Sequence, residues 1–257
     1  MNILFTLCGR AGSKGVKGKN ARDFLDVPLV WYSMAGIKLY IDRYVNEDDK
    51  VDVVLNTDSE DLIKLVEEVK EINVGIQHRD ESLAGDKVAK ALVINDCLVR
   101  AETQYGRRYD VVVDLDITSP LRTVDDIKNA LDRKIKRPEV GVVFTVVPSR
   151  RNPYFNMVKE DEGFFRKAIM SNYTTRQDAP TFYDQNASIY AYSPQGLKED
   201  AANIFKKDCD ATMMYDTGIL DIDSENDYEL MQVIASYMFD KYKAYKEIFE
   251  KAKSWKQ

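Results

Sequence analysis

The sequence predicts an α/β fold, with a mostly parallel central sheet and helices on both faces. Three observations carry this. Short Val/Ile/Leu runs alternate with amphipathic stretches of about ten to fifteen residues, the rhythm of successive β–α units. The runs are apolar on both sides, as in strands covered on both faces. A chain of 257 residues with 44% hydrophobic and 31% charged residues is also large enough to bury a core without disulfide or metal staples.

The elements follow in order. Ile3–Cys8 is apolar and ends at glycine, a buried strand. Residues 9–20 (GRAGSKGVKGKN) hold four glycines and no apolar period, so they form a loop. A helix is expected over Pro28–Tyr40, with Pro28 near its first turn. Val51–Leu55 is a second strand. Ser59 caps a helix over Glu60–Lys70 whose inner face is Leu62, Leu65, Val66 and Val69. Val74–Ile76 is a third strand, Asp86–Gln104 a helix, and Val111–Asp116 a fourth strand. Thr123 caps a helix over Val124–Ile135 with Ile127, Ala130 and Leu131 inward, and Val140–Val147 is a fifth strand. Residues 148–195 break the rhythm with Pro148, Pro153, Pro180 and many aromatics. They hold short runs that look like antiparallel strands and are expected to form an insertion or a subunit-contact element within a single domain spanning 1–257. Ser224–Trp255 is expected to be one long helix packing Leu230, Val233, Ile234, Tyr237 and Met238 on the sheet.

Charge narrows the function. The chain has 37 Lys and Arg against 43 Asp and Glu, a formal charge of −6, which disfavours general nucleic-acid or anionic-membrane binding. Three cysteines, Cys8, Cys97 and Cys209, are too few for a disulfide framework and fit a reducing, cytoplasmic setting. A single histidine, His78, leaves no room for a multi-His metal site and makes a Ser-His-Asp triad improbable. The N-terminus lacks the basic lead of a signal peptide, and no apolar run is long enough to span a bilayer.

Against that acidic background, residues 1–22 carry Arg10, Lys14, Lys17, Lys19 and Arg22 and no carboxylate. The spacing is not that of a Walker A loop or of the dinucleotide fingerprint. Its glycines let backbone N–H groups approach an anion, with Arg10, Lys14 and Lys19 as cations, a combination that suits a triphosphate. Late in the chain, Asp221-Ile222-Asp223 places two carboxylates at i and i+2. On an extended strand they converge, which is costly unless a cation joins them, and an all-oxygen pair suits Mg²⁺. The same residues also read as an acidic turn or a helix cap before Ser224. Asp114-Leu115-Asp116 repeats the spacing on a more buried strand, with Asp116 at the strand end. Ligands of such sheets sit at the carboxyl ends of the strands, where the basic loop and Thr118-Ser119-Pro120 both open.

Five motifs then occur in a fixed order. They are Arg10-x-x-Ser13-Lys14-Gly15-x-x-x-Lys19-Asn20; Thr57-Asp58-Ser59; Arg79 with Leu83-Ala84-x-Asp86; Thr118-Ser119-Pro120-Leu121-Arg122; and Asp221-Ile222-Asp223. In this order they resemble the acylneuraminate cytidylyltransferases, the CMP-sialic acid synthetases, over about residues 1–230. Arg151–Asn156, Thr175–Pro180 and Tyr183–Tyr190 look most like the bacterial branch that activates legionaminic acid. The resemblance implies a Rossmann-like nucleotidyltransferase fold, a homodimer in which a protruding segment helps close the partner's site, Mg²⁺ as cofactor, and the conversion of CTP and a nonulosonic acid to a CMP-sugar and pyrophosphate. It further implies that Arg10, Ser13, Lys14, Lys19, Asn20, Arg79 and Asp86 hold the nucleotide and that Asp221 and Asp223 hold the metal. Asp116, Thr118, Ser119, Arg122, Gln177 and Asn186 would lie toward the sugar. Arg10, Lys19 and Asp223 would carry catalysis, with Asp223 or Asp116 as proton acceptor.

The sequence departs from the sialic acid branch where Leu115-Asp116-Ile117 replaces the usual Leu-Gln-Pro, and where Asp184 replaces a basic residue. Both changes turn the expectation away from N-acetylneuraminate. The alternatives are a nucleotidyltransferase using GTP or another sugar acid, and an inactive nucleotide-binding regulator.

Overall fold

A computed structural model of the chain describes residues 1–12, 15–85, 87–218 and 221–256, with Arg176 described by its backbone alone. Seven strands form one sheet. They are β1 (Asn2–Cys8), β4 (Lys50–Thr57), β5 (Gly75–His78), β6 (Val111–Leu115), β7 (Val142–Pro148), β10 (Tyr183–Tyr192) and β11 (Cys209–Met213), in spatial order β11-β7-β10-β6-β1-β4-β5. Every pairing is parallel except those of β10, which runs antiparallel to both β6 and β7. The chain moves outward from β1 to β4 and β5, then returns to β6 on the other side of β1. That reversal makes the β1/β6 carboxyl ends the crevice where such sheets bind ligands. Two small ribbons, β2 (Asp23–Phe24) with β3 (Val27–Pro28) and β8 (Val158–Asp161) with β9 (Phe164–Lys167), lie outside the sheet.

Side-chain alternation along β1 explains the two layers. Ile3, Phe5 and Leu7 enter one core with α1 (Leu29–Tyr44), α2 (Glu60–Glu68), α4 (Val124–Lys136), α6 (Glu225–Lys241) and α7 (Lys243–Ser254). Leu4 points the other way, into a smaller core with α3 (Lys90–Tyr105) and α5 (Pro194–Asp200). The buried Leu29, Val30, Met34 and Ile37 of α1 each contribute roughly 1.5–3 kcal/mol of burial free energy. Ser59 and Thr123 cap α2 and α4 as expected, Thr123 within a capping box completed by Asp126.

Four differences from the sequence reading have physical causes. The region 148–195 is not one insertion, because Tyr183–Tyr192 is a strand inside the sheet; only the part before it, with the β8–β9 hairpin, stands apart. The C-terminal segment is two helices broken at Tyr242, whose extended backbone lets α7 fold back so that Phe249 stacks on Phe239 at 4.8 Å. On α6 the buried face is Tyr228, Met231, Ala235, Met238 and Phe239, leaving Leu230, Val233 and Tyr237 exposed. The helix expected from Asp86 begins at Lys90.

Candidate active site

The basic loop leaves the sheet at the end of β1, where the Gly9 N–H donates to the Asn56 carbonyl at 3.2 Å. The Ala11 N–H donates to Asp58 at 2.7 Å, and Asn20 Nδ2 donates to the Arg10 carbonyl at 3.2 Å. The loop is thus tied at both ends. Gly18, at φ 62°, turns it into the single helical turn Lys19–Ala21.

From that turn Lys19 Nζ crosses to the late aspartates, donating to the Ile222 carbonyl at 2.6 Å and pairing with Asp223 Oδ1 at 3.2 Å. Gly15 touches the same segment so closely that a Cβ there would fall 1.8 Å from the Asp223 carbonyl oxygen. The segment 221–223 is irregular rather than a strand. Ile222 is its anchor: the side chain is fully buried and the N–H donates to the Thr118 carbonyl at 3.0 Å. Ser224 caps α6, and Asp227 accepts from the N–H groups of both Asp223 and Ser224.

The end of β6 supplies the third wall. Asp116 Oδ1 accepts from the Thr118 N–H at 2.9 Å and the Thr118 hydroxyl at 2.7 Å, while Oδ2 accepts from Lys90 Nζ at 2.6 Å. Burial alone would push the Asp116 carboxyl up. The Lys90 charge and these hydrogen bonds outweigh it and hold the carboxyl down at about 2. Asp221 is the reverse case: burial, then the charges of Asp223 and Asp116, push its carboxyl up to about 6.

These walls enclose a cavity of about 280 Å³. Arg10, Lys19, Arg79 and Lys90 line it as cations and Asp116 and Asp221 as carboxylates. Leu83, Val88 and Val93 give it an apolar side. Arg79 is held in place by donating to Asn56 Oδ1 at 2.7 Å and to the Asn56 carbonyl at 3.0 Å.

The structure therefore gathers Arg10, Lys19, Asn20, Arg79, Asp116, Thr118 and Asp221 at one cavity, with Asp223 held against Lys19. Ser13, Lys14 and Asp86 lie outside the described residues. Four expected sugar residues do not line the cavity. Arg122 is buried beneath the loop, its guanidinium donating to the carbonyls of Asp116 and Ser119, so it braces the turn; burial lowers it to about 10. Ser119 is buried in that turn, and its carbonyl is one of Arg122's acceptors. Asn186 is buried on β10, where Oδ1 accepts from the Thr145 hydroxyl at 2.6 Å. Gln177 is exposed on the single turn Arg176–Asp178. Sequence reasoning missed two residues. Asp58 was read only as part of a motif, yet it anchors the basic loop. Lys90 was not singled out, although a lysine in the first turn of a helix opposes the helix dipole and so marks an unusual partner.

A nucleotide-binding α/β fold whose cationic loop faces an aspartate pair is the arrangement of an enzyme that transfers a nucleotidyl group. The comparisons agree. The chain matches the family model "Cytidylyltransferase" over residues 7–252, and it belongs to that family of nucleotidyltransferases. It is 35% identical to the post-translational flagellin modification protein B of Campylobacter coli, over 90% of this chain and 94% of that one. It is 34% identical to the CMP-N,N'-diacetyllegionaminic acid synthase of Campylobacter jejuni, over 91% of this chain and 95% of that one. Among solved structures it resembles a CMP:2-keto-3-deoxy-manno-octonic acid synthetase complexed with CTP, with a TM-score of 0.63 at 13% identity, covering 92% of this chain and 99% of the other; that likeness speaks to fold.

Proposed function

We propose that this cytidylyltransferase activates a nine-carbon nonulosonic acid of the legionaminic type, giving the CMP-sugar and pyrophosphate for glycosylation of a cell-surface or flagellar acceptor. The carrying observation is the meeting of Lys19 with the Asp221–Asp223 segment at one cavity, beside relatives whose names specify this chemistry. The anomeric hydroxyl attacks the α-phosphorus in line; the new O–P bond forms as the bond to the β-phosphate oxygen breaks. Like charges meet in this step, so positioning and electrostatic stabilisation supply most of the catalysis. Arg10 and Lys19 offset the charge of the departing pyrophosphate. The apolar wall of Leu83, Val88 and Val93 beside Arg79 suits a pyrimidine face. Of the two proton acceptors, Asp223 is favoured, because both oxygens of Asp116 already accept hydrogen bonds.

The donor set fits Mg²⁺. Among the described residues Asp221 accepts no hydrogen bond, and its carboxyl is pushed up first by burial and then by the charges of Asp223 and Asp116; a hard divalent cation relieves that repulsion. Among the described residues no three His, Cys, Asp or Glu side chains gather as a metal cluster, at this cavity or elsewhere; Mg²⁺ needs only one or two carboxylates when phosphates and water complete its shell. Bound there, it would neutralise phosphate charge and lower the pKa of the attacking hydroxyl.

We further propose a homodimer built through the β8–β9 hairpin, where Phe164 and Phe165 stand exposed with Val158 and Met170. The three free cysteines suit a cytoplasmic reaction, and no helix of the described residues is long and apolar enough to cross a membrane. Purified protein with Mg²⁺, each NTP in turn and N,N'-diacetyllegionaminic, N-acetylneuraminic or pseudaminic acid tests the function. CMP-legionaminate by mass spectrometry, with CTP as the preferred nucleotide, supports it; a product only from a different acid or nucleotide overturns it.

A further inference from the structure

Lys90 opens α3 and reaches across to the end of β6, where its ammonium sits between two carboxylates, 2.7 Å from Asp114 Oδ2 and 2.6 Å from Asp116 Oδ2. Asp114 is fully buried and also accepts from the Thr6 hydroxyl at 2.7 Å. Burial works against the ammonium, but the two carboxylates outweigh it and keep Lys90 charged. The contacts do not stop there. Asp116 binds the N–H and hydroxyl of Thr118, the Thr118 carbonyl accepts from the Ile222 N–H, and the Ile222 carbonyl accepts from Lys19. A continuous line of polar contacts thus runs from the start of α3, along the wall of the cavity, to the segment carrying Asp221 and Asp223.

We propose that Lys90 is a positioning residue for nucleotidyl transfer: through the line Lys90–Asp116–Thr118–Ile222 it fixes the Asp221–Asp223 segment opposite Lys19. This rests on the proposed role of that aspartate pair and extends it to a residue on another element. A neutral amide at a strand end needs no counter-cation, whereas a carboxylate beside buried Asp114 does, and Lys90 supplies it. A displacement of about 1 Å at a reacting group can cost roughly 10²-fold in rate, so a link of this kind is large enough to matter.

The test replaces Lys90→Met and follows two readouts. The first is hydrogen exchange of the Ile222 amide in substrate-free protein, which reads the link whatever sugar the enzyme activates. Exchange there should quicken about tenfold or more while α1 and α4 amides keep their protection. The second is steady-state kinetics, in which kcat should fall roughly 10²-fold with the KM for CTP within about threefold, the pattern of misplaced catalytic groups rather than lost binding. Asp116→Ala removes the next link and should give the same pair of changes. The double variant should be no worse than the poorer single one, because both act on one line. Should Lys90→Met fail to fold, Asp116→Ala carries the same expectations. Unchanged exchange at Ile222, a normal kcat, a uniform loss of protection across the helices, or additive losses in the double variant would each overturn the proposal. A wild-type enzyme without transfer activity would instead refute the proposed function, and the exchange result would still decide the link.

Discussion

Lys19 and Asp223 stand 204 positions apart in sequence and meet at 3.2 Å, with Lys19 also bonded to the carbonyl of Ile222. The cationic loop after the first strand and the acidic segment before α6 are therefore two halves of one cleft. A lysine that bridges to a backbone carbonyl is held in place before any ligand arrives, which lowers the ordering cost of binding a phosphate.

Gly15 is where these halves touch. A Cβ there would overlap the Asp223 carbonyl oxygen at 1.8 Å, and backbone on both sides leaves no flexible side chain to give way. Gly15→Ala should therefore separate loop from aspartates and lower kcat/KM by roughly 10²-fold or more. Pyrophosphate-release kinetics with CTP checks this; a Gly15→Ala enzyme of normal activity would show the contact to be dispensable.

Acid should remove the stabilisation contributed by Asp116. Its folded carboxyl is held at about 2, below the ordinary value, so its contribution is present above about pH 4 and is lost as pH falls through 2. Asp116→Asn should be less stable than wild type at neutral pH, and the gap should narrow by ~2 kcal/mol between about pH 5 and pH 2. Urea unfolding across that range reads it directly, and a gap independent of pH would mean that Asp116 is not held ionised.

Arg122 is a brace rather than a ligand in this chain. Its buried guanidinium donates to the carbonyls of Asp116 and Ser119, which Arg122→Met would leave without their charged donor. That variant should lose about 2–4 kcal/mol of stability. A thermal or urea midpoint equal to wild type would return Arg122 to the list of ligand-facing cations.

Much of this was legible in the sequence, and the rest was not for identifiable reasons. Strand runs such as Val111–Leu115 and capped helices such as Val124–Lys136 announce themselves, because buried parallel strands and N-caps depend on local residue types. Antiparallel runs are expected within 148–195, but the place of β10 inside the main sheet is not announced, since Tyr183–Tyr192 is rich in polar groups and bulges between Gln185 and Tyr190, with Ala187 at φ 51°. The break at Tyr242 follows from tertiary stacking of Phe239 on Phe249, which no local pattern encodes. At the site, Arg10 and Lys19 were visible as positive charge out of place in an acidic chain, and Asp221 through its i, i+2 spacing from Asp223. Arg122 and Asn186 were misplaced because residue type does not distinguish a cation or amide facing a ligand from one bonded inward to the chain. Lys90 escaped notice because its two carboxylate partners lie on another element.

The central claim, that Lys19 and Asp223 act in one cleft, is tested most directly by a double-mutant cycle on kcat for CMP-sugar formation. Lys19→Ala and Asp223→Ala should each lower kcat by ~10²–10³ while remaining folded, and the double variant should lose no more than about tenfold beyond the poorer single variant. Near-normal turnover by either single variant, or losses that simply multiply, would contradict the account.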